Sequence, residues 1–198
     1  MNKEGEIIIK ALCIIASPRE NGSTAYLVDK VIEGIKQSGA EVSRYYLGST
    51  KIEYCTGCKS CEKTGECFQN DDVNIIIQDL VDADIVVIGS PSYWGDITGQ
   101  LKVFFDRNTP YANTNINRTF KHRERVGLSI AIRTGTNEEE NIHIINTIEH
   151  YFGHMGIKPV ANLSVCGVSV LNDMLAKEDV LKKAYELGVK ITKEIEFV

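Results

Sequence analysis

The chain has 198 residues, 43% of them hydrophobic and 25% charged, with a formal net charge of -5. That length suits one domain with a two-sided core, and the mild acidity argues against nucleic acid or an anionic membrane surface as partner. MNKEGE opens without a hydrophobic signal core, no apolar run nears a membrane span, and the six cysteines are therefore expected to be cytoplasmic thiols or ligands rather than disulfides.

Ile7 to Ala16 is a near-continuous apolar run, the pattern of a strand covered on both faces. It breaks into Ser17-Pro-Arg19-Glu-Asn21-Gly-Ser23-Thr24, after which Leu27, Val28, Val31, Ile32 and Ile35 recur at helical steps until Gly39. Glu41 to Leu47 reads as a second strand, and residues 48–70 as a polar, cysteine-rich insert. Asp71 and Asp72 start a helix through Val73, Ile76, Ile77 and Leu80. Asp84 to Ser90 is the third strand, SPSYWGD its following loop, and Ile97 to Asp106 a helix. Residues 108–125 read as a polar excursion, and Lys121, His122, Arg123, Glu124 and Arg125 as a mixed-charge wet surface or subunit contact. A fourth strand (Val126 to Arg133), a loop at Thr134 to Asn137, a helix (Glu139 to Phe152, ended by Gly153 or Gly156), a fifth strand (Val160 to Val170) and a helix (Ala176 to Glu196) complete the chain. No repeat or linker interrupts it, so residues 1–198 are expected to form a single domain. Five alternations of strand and helix predict an α/β, doubly wound parallel sheet with helices on both faces.

In such sheets ligands bind beyond the strand C-termini, where loops 17–24, 90–96 and 134–138 would meet. The first is a strand, a hydroxyl-rich loop and a helix N-terminus, where free N–H groups and the helix dipole favour an anion. Ser23 or Thr24 could instead be a simple helix cap, but a cap needs one hydroxyl and this loop also offers Ser17, Asn21 and Arg19. Neither GxGxxG nor a P-loop is present, which leaves a monophosphate such as that of FMN. Pro91, Ser92, Tyr93, Trp94 and Gly95 place backbone N–H groups and aromatic rings where a planar flavin would lie, although Tyr93 and Trp94 could equally be core.

Cys55, Cys58, Cys61 and Cys67 are spaced C-x2-C-x2-C-x5-C. Three cysteines at successive three-residue steps suit a cubane iron–sulfur cluster. Zinc, redox thiols or an empty site are the alternatives, and the last spacer is longer than in bacterial ferredoxins. His150 and His154, four apart on one helix, read as a solvated face, and Lys102, Asp106 and Arg107 as local caps or pairs.

SPRENGST, the cysteine block leading to Asp71-Asp72, GSPSYWG and LKVFFDR together resemble the NADPH-dependent FMN reductase superfamily. The compact cysteine block is similar to that of its iron–sulfur flavoproteins. The resemblance implies a flavodoxin-like sheet of order 2-1-3-4-5. It implies an FMN phosphate held by Ser17, Arg19, Asn21, Ser23 and Thr24, with the ring flanked by Pro91 to Gly95, Thr134 and Gly135. It further implies a 4Fe–4S cluster on Cys55, Cys58, Cys61 and Cys67, and a homodimer or homotetramer in which clusters and flavins of neighbouring subunits exchange electrons. The expected function is a flavin-dependent oxidoreductase taking electrons from NAD(P)H or ferredoxin, with no catalytic acid–base or nucleophile residue. An NAD(P)H-dependent FMN or quinone reductase without a cluster, a non-catalytic electron carrier, and a nucleotide-binding module without flavin are the rival readings.

Overall fold

Strands Lys10–Ile15 (β1), Glu41–Tyr46 (β2), Ile85–Pro91 (β3), Arg125–Ile132 (β4) and Ile157–Val165 (β5) pair in parallel, in the order β2-β1-β3-β4-β5. The computed structural model describes residues 8–120 and 123–195. Ile7, where the expected first run begins, and Glu196, where the last helix was expected to end, lie outside them, as do Lys121 and His122. The sheet is the doubly wound one that the alternation predicted, in the flavodoxin-like order that the resemblance implied.

Its helices are Ser23–Lys36 (α1), Cys61–Thr64 (α2), Asp72–Asp82 (α3), Gly99–Arg107 (α4), Glu138–Met155 (α5), Leu171–Leu175 (α6) and Glu178–Lys193 (α7). Successive β1 side chains serve opposite faces. Leu12, Ile14 and Ala16 pack into a core with α3, α4 and α5, whereas Ala11, Cys13 and Ile15 pack against α1 and α7. Because both faces are covered, the strand reads as continuously apolar. Burying one such Leu or Ile is worth roughly 1.5–3 kcal/mol, so the two cores supply the main stabilising term.

Close backbone approach shapes the α1–α7 face. A Cβ at Gly34 would stand 2.1 Å from the Tyr185 carbonyl oxygen, and one at Gly188 would stand 2.1 Å from that of Val31. Only glycine lets these helices cross so closely. On the other face, Gly127 leaves room for the Phe152 ring, whose edge would lie 2.5 Å from an added Cβ.

Several expected boundaries shift. α4 begins at Gly99 rather than Ile97, because Thr98 is its N-cap and its Oγ1 accepts from Leu101 N. α5 runs through Gly153 and ends at Gly156, whose φ of 68° no β-branched or bulky residue adopts comfortably. β5 begins at Ile157 and stops at Val165, and a short helix, α6, follows it. The excursion after α4 is a brace, not a free loop: Asn115 Nδ2 donates to Cys61 O at 3.1 Å and Asn117 Nδ2 to Glu62 O at 2.7 Å. Arg125 likewise departs from the wet-surface expectation. It is 3% exposed, lies 4.4 Å from the Phe120 ring centroid and donates to the Leu80 and Val81 carbonyls that end α3. Arg123, from the same run, pairs with Asp84.

Candidate functional site

At the end of β1 the chain turns sharply. Ser17 Oγ accepts from Arg19 N at 3.0 Å, Gly22 N donates to Arg19 O at 3.2 Å, and α1 begins. The N-cap is Gly22, in extended conformation, with no side-chain cap bond. Neither Ser23 nor Thr24 caps the helix, so the first-turn N–H groups keep the unsatisfied donors that an anion would take up. Thr24 and Ser17 are nonetheless buried, which fixes their hydroxyls at the cleft floor.

The loop after β3 is held to β1 by a residue that sequence reasoning passed over. Thr98 Oγ1 donates to Ala16 O at 2.7 Å, and Thr98 N donates to Ser90 Oγ at 3.3 Å. Between them Tyr93 and Asp96 exchange backbone bonds of 2.9 and 3.1 Å around Trp94 and Gly95, whose φ values are 56° and 78°. Two positive φ values in succession make a type I′ turn, which suits Gly95 and strains Trp94. Trp94, the chain's single tryptophan, is fully exposed on that turn.

Eight of the expected residues line one cleft: Ser17, Arg19, Ser23, Thr24, Pro91, Ser92, Tyr93 and Thr134. Gly22, Ile132, Arg133, Val168 and Ser169 complete its wall. Asn21, Trp94, Gly95 and Gly135 stand outside it. Gly135 instead leaves space for the Arg133 guanidinium, 2.5 Å from where its Cβ would be. The cleft wall carries two arginines and no carboxylate. Arg19 Nη1 donates to Ser169 O at 3.1 Å, which ties the β5–α6 loop to the β1–α1 loop across the cleft. Arg133 pairs with Glu140 at 3.0 Å, and its buried Nε has no protein partner. An unspent buried donor and an uncapped helix end both fit an anionic, hydrogen-bonding ligand such as FMN.

The four motif cysteines line a second pocket of about 210 Å³. A water's share of volume is about 30 Å³, so the pocket has room for a many-atom centre. Gly57, Lys59 and Gly65 all have positive φ, which coils the loop tightly between the cysteines. At Gly65 an added Cβ would fall 2.1 Å from Asn117 O, so glycine lets the brace dock. Among the described residues no three His, Cys, Asp or Glu side chains are gathered closely enough for a single ion. The sulfurs do sense one another: burial, then Cys67, Cys58 and Cys55, push the Cys61 thiol up, while the hydroxyl and N–H of Ser60 draw Cys58 down. Cys13, buried in β1 and pushed up to about 12 by desolvation, is an inert core thiol.

Arg107 departs from the expected local pairing. Its side chain has no exposed surface, and it reaches Asp71 at 2.5 and 3.2 Å and Glu53 O at 2.8 Å. Lys102 and Asp106 do pair locally, at 2.5 Å. His150 and His154 approach to 3.2 Å between Nε2 atoms, and His154 Nδ1 faces Asn113 Oδ1.

Fold and cleft together define a flavodoxin-like protein built to bind a flavin mononucleotide. The model of the NADPH-dependent FMN reductase family matches residues 9–168, and the chain belongs to that family of flavin-dependent oxidoreductases. It is 34% identical over 95% of its length to an "iron-sulfur flavoprotein" of Archaeoglobus fulgidus, covering 81% of that protein. It is 28% identical over 96% of its length to an iron-sulfur flavoprotein of Methanocaldococcus jannaschii, covering 99% of it. Its fold is also that of an NAD(P)H:quinone oxidoreductase from Methanothermobacter marburgensis, with TM-score 0.69, 19% identity, and 92% of this chain and 96% of the other covered. No helix among the described residues is long and apolar enough to cross a membrane.

Proposed function

We propose that the chain holds FMN in the β1–β3–β4 cleft and a 4Fe–4S cluster on Cys55, Cys58, Cys61 and Cys67, and that it passes electrons between an NAD(P)H or ferredoxin donor and a partner. The observation that carries the reading is the coexistence of a carboxylate-free, hydroxyl-lined cleft at an uncapped helix start with a separate pocket lined by all four sulfurs. The names of the curated relatives support the iron–sulfur half. When bound, FMN supplies two-electron acceptance and one-electron release, and a cluster carries single electrons.

The protein's own share is placement. The α1 N–H groups, Ser23 and Arg19 would hold the phosphate, and Ser17 holds the turn that aims them. Pro91, Ser92 and Tyr93 would lie along the ring, with the Arg133–Glu140 pair beside it. Thr98 keeps the first and second loops at fixed separation. No side chain needs to act as a general base.

Two measurements test this. FMN titrated into apoprotein should quench Trp94 fluorescence, and Arg19→Ala combined with Ser23→Ala should weaken binding by about 2–4 kcal/mol, each charged or paired hydrogen bond being worth roughly 1–3. Unchanged affinity removes the loop from the site. Anaerobically purified protein should contain iron and acid-labile sulfide in equal amounts; stoichiometric zinc with neither would overturn the cluster assignment.

A further inference from the structure

The cysteine pocket has one feature that its ligand pattern does not require. Arg107 lines it from beneath, at the end of α4, with no exposed side-chain surface. A fully buried cation is expensive unless its donors are satisfied, and Asp71 and the Glu53 carbonyl satisfy only the two Nη groups. Nε keeps its proton without a protein acceptor. Lys59, Glu62 and Asp106 also line the pocket, but they are exposed and screened by solvent, whereas Arg107 acts from the low-dielectric side.

We infer that Arg107 is a positioning residue of the cysteine pocket, a buried permanent cation that steadies negative charge on the sulfur-held centre and thereby raises its reduction potential. Asp71 sets the strength of the effect, because its carboxylate neutralises part of the guanidinium charge. The inference rests on the cluster reading above. In the couple concerned one electron is taken up, supplied by dithionite in the assay, and no bond is made or broken. Added negative charge is favoured by a nearby cation, one of the levers proteins use to set such potentials.

The structure makes two predictions of opposite sign. Arg107→Gln removes the cation and should lower the midpoint potential. Asp71→Asn removes the counter-charge while keeping the shape and the α3 cap, and should raise it. Each change should alter the ratio of reduced to oxidised centre at fixed potential by about three- to tenfold, tenfold being about 59 mV for one electron. Arg107→Lys, which retains the charge, should recover part of the loss. The test is an EPR-monitored redox titration of reconstituted wild type and variants, with iron and sulfide counted in each. Shifts of opposite sign establish the role. Shifts of the same sign, or none, in loaded protein overturn it and leave the cluster assignment standing. If Arg107→Gln does not fold, Asp71→Asn alone decides by its sign. Wild type that takes up no iron would instead refute the cluster reading itself.

Discussion

At the scale of single residues, the Asp71–Arg107 pair joins three segments: the start of α3, the end of α4 and the backbone at Glu53. Burial alone would raise the Asp71 carboxyl, but Arg107 and the N–H groups of Glu53 and Val73 hold it below the ordinary carboxylate range. A carboxyl whose pKa is depressed on folding stabilises fully above its unfolded value, about 3.9, and that contribution is lost as pH falls through the lower folded value. The expected outcome is that wild type loses stability more steeply than Asp71→Asn between about pH 5 and about pH 2 in urea unfolding. Parallel profiles would show that the pair contributes nothing. The sequence marks Asp71 as a helix start, because capping is a local signal, and it does accept from Val73 N. It hides the arginine's partner. Spacing arguments reach three or four residues, and this bond closes a gap of 36 positions.

At the scale of elements, glycines divide by what surrounds them. Gly34 and Gly188 sit where α1 meets α7, and an added methyl group would strike backbone that has nowhere to go. Gly34→Ala should therefore destabilise by about 1–3 kcal/mol or more, as overpacking does, although alanine is the better helix former. Gly153 lies in α5 with nothing within 4 Å of an added Cβ, so Gly153→Ala should stabilise by about 0.5–1 kcal/mol. Thermal or urea midpoints of the two variants moving in the same direction would refute the packing argument. Strand and helix identities were legible because their apolar periods are local and strong. Where the reading slipped at Ile97, a tertiary bond had decided the boundary. Thr98 caps α4 because its hydroxyl also has Ala16 O to bond, a partner 82 positions away.

At the scale of the whole molecule, the sheet order puts the ends of β1, β3 and β4 side by side, and the meeting of their loops was legible from alternation alone. What alternation could not show is how the cleft is tied to the cysteine pocket. α4 makes the link: its cap Thr98 grips the cleft loops and its last residue, Arg107, lies under the sulfurs. Its nine residues span about 14 Å at 1.5 Å per residue. The 109–120 brace, joined to the cysteine loop by Asn115 and Asn117, was equally invisible, because polar side chain to backbone bonds across more than 50 positions leave no periodic trace.

This arrangement predicts that the two centres can be separated. Cys58 is exposed, its sulfur lies 3.4 Å from Ser60 Oγ, and it belongs to neither core, so replacing it disturbs neither. The cleft draws none of its wall from residues 55–69, and the cysteine pocket draws none of its wall from the cleft loops. Cys58→Ala should therefore abolish iron and sulfide retention while FMN affinity stays within about twofold of wild type, well under 1.4 kcal/mol. Loss of both together, with an intact far-ultraviolet spectrum, would mean that the cysteine loop shapes the flavin cleft through α4. In that case Thr98→Val, which cuts the tether at its other end, should reproduce the flavin defect with all four cysteines present.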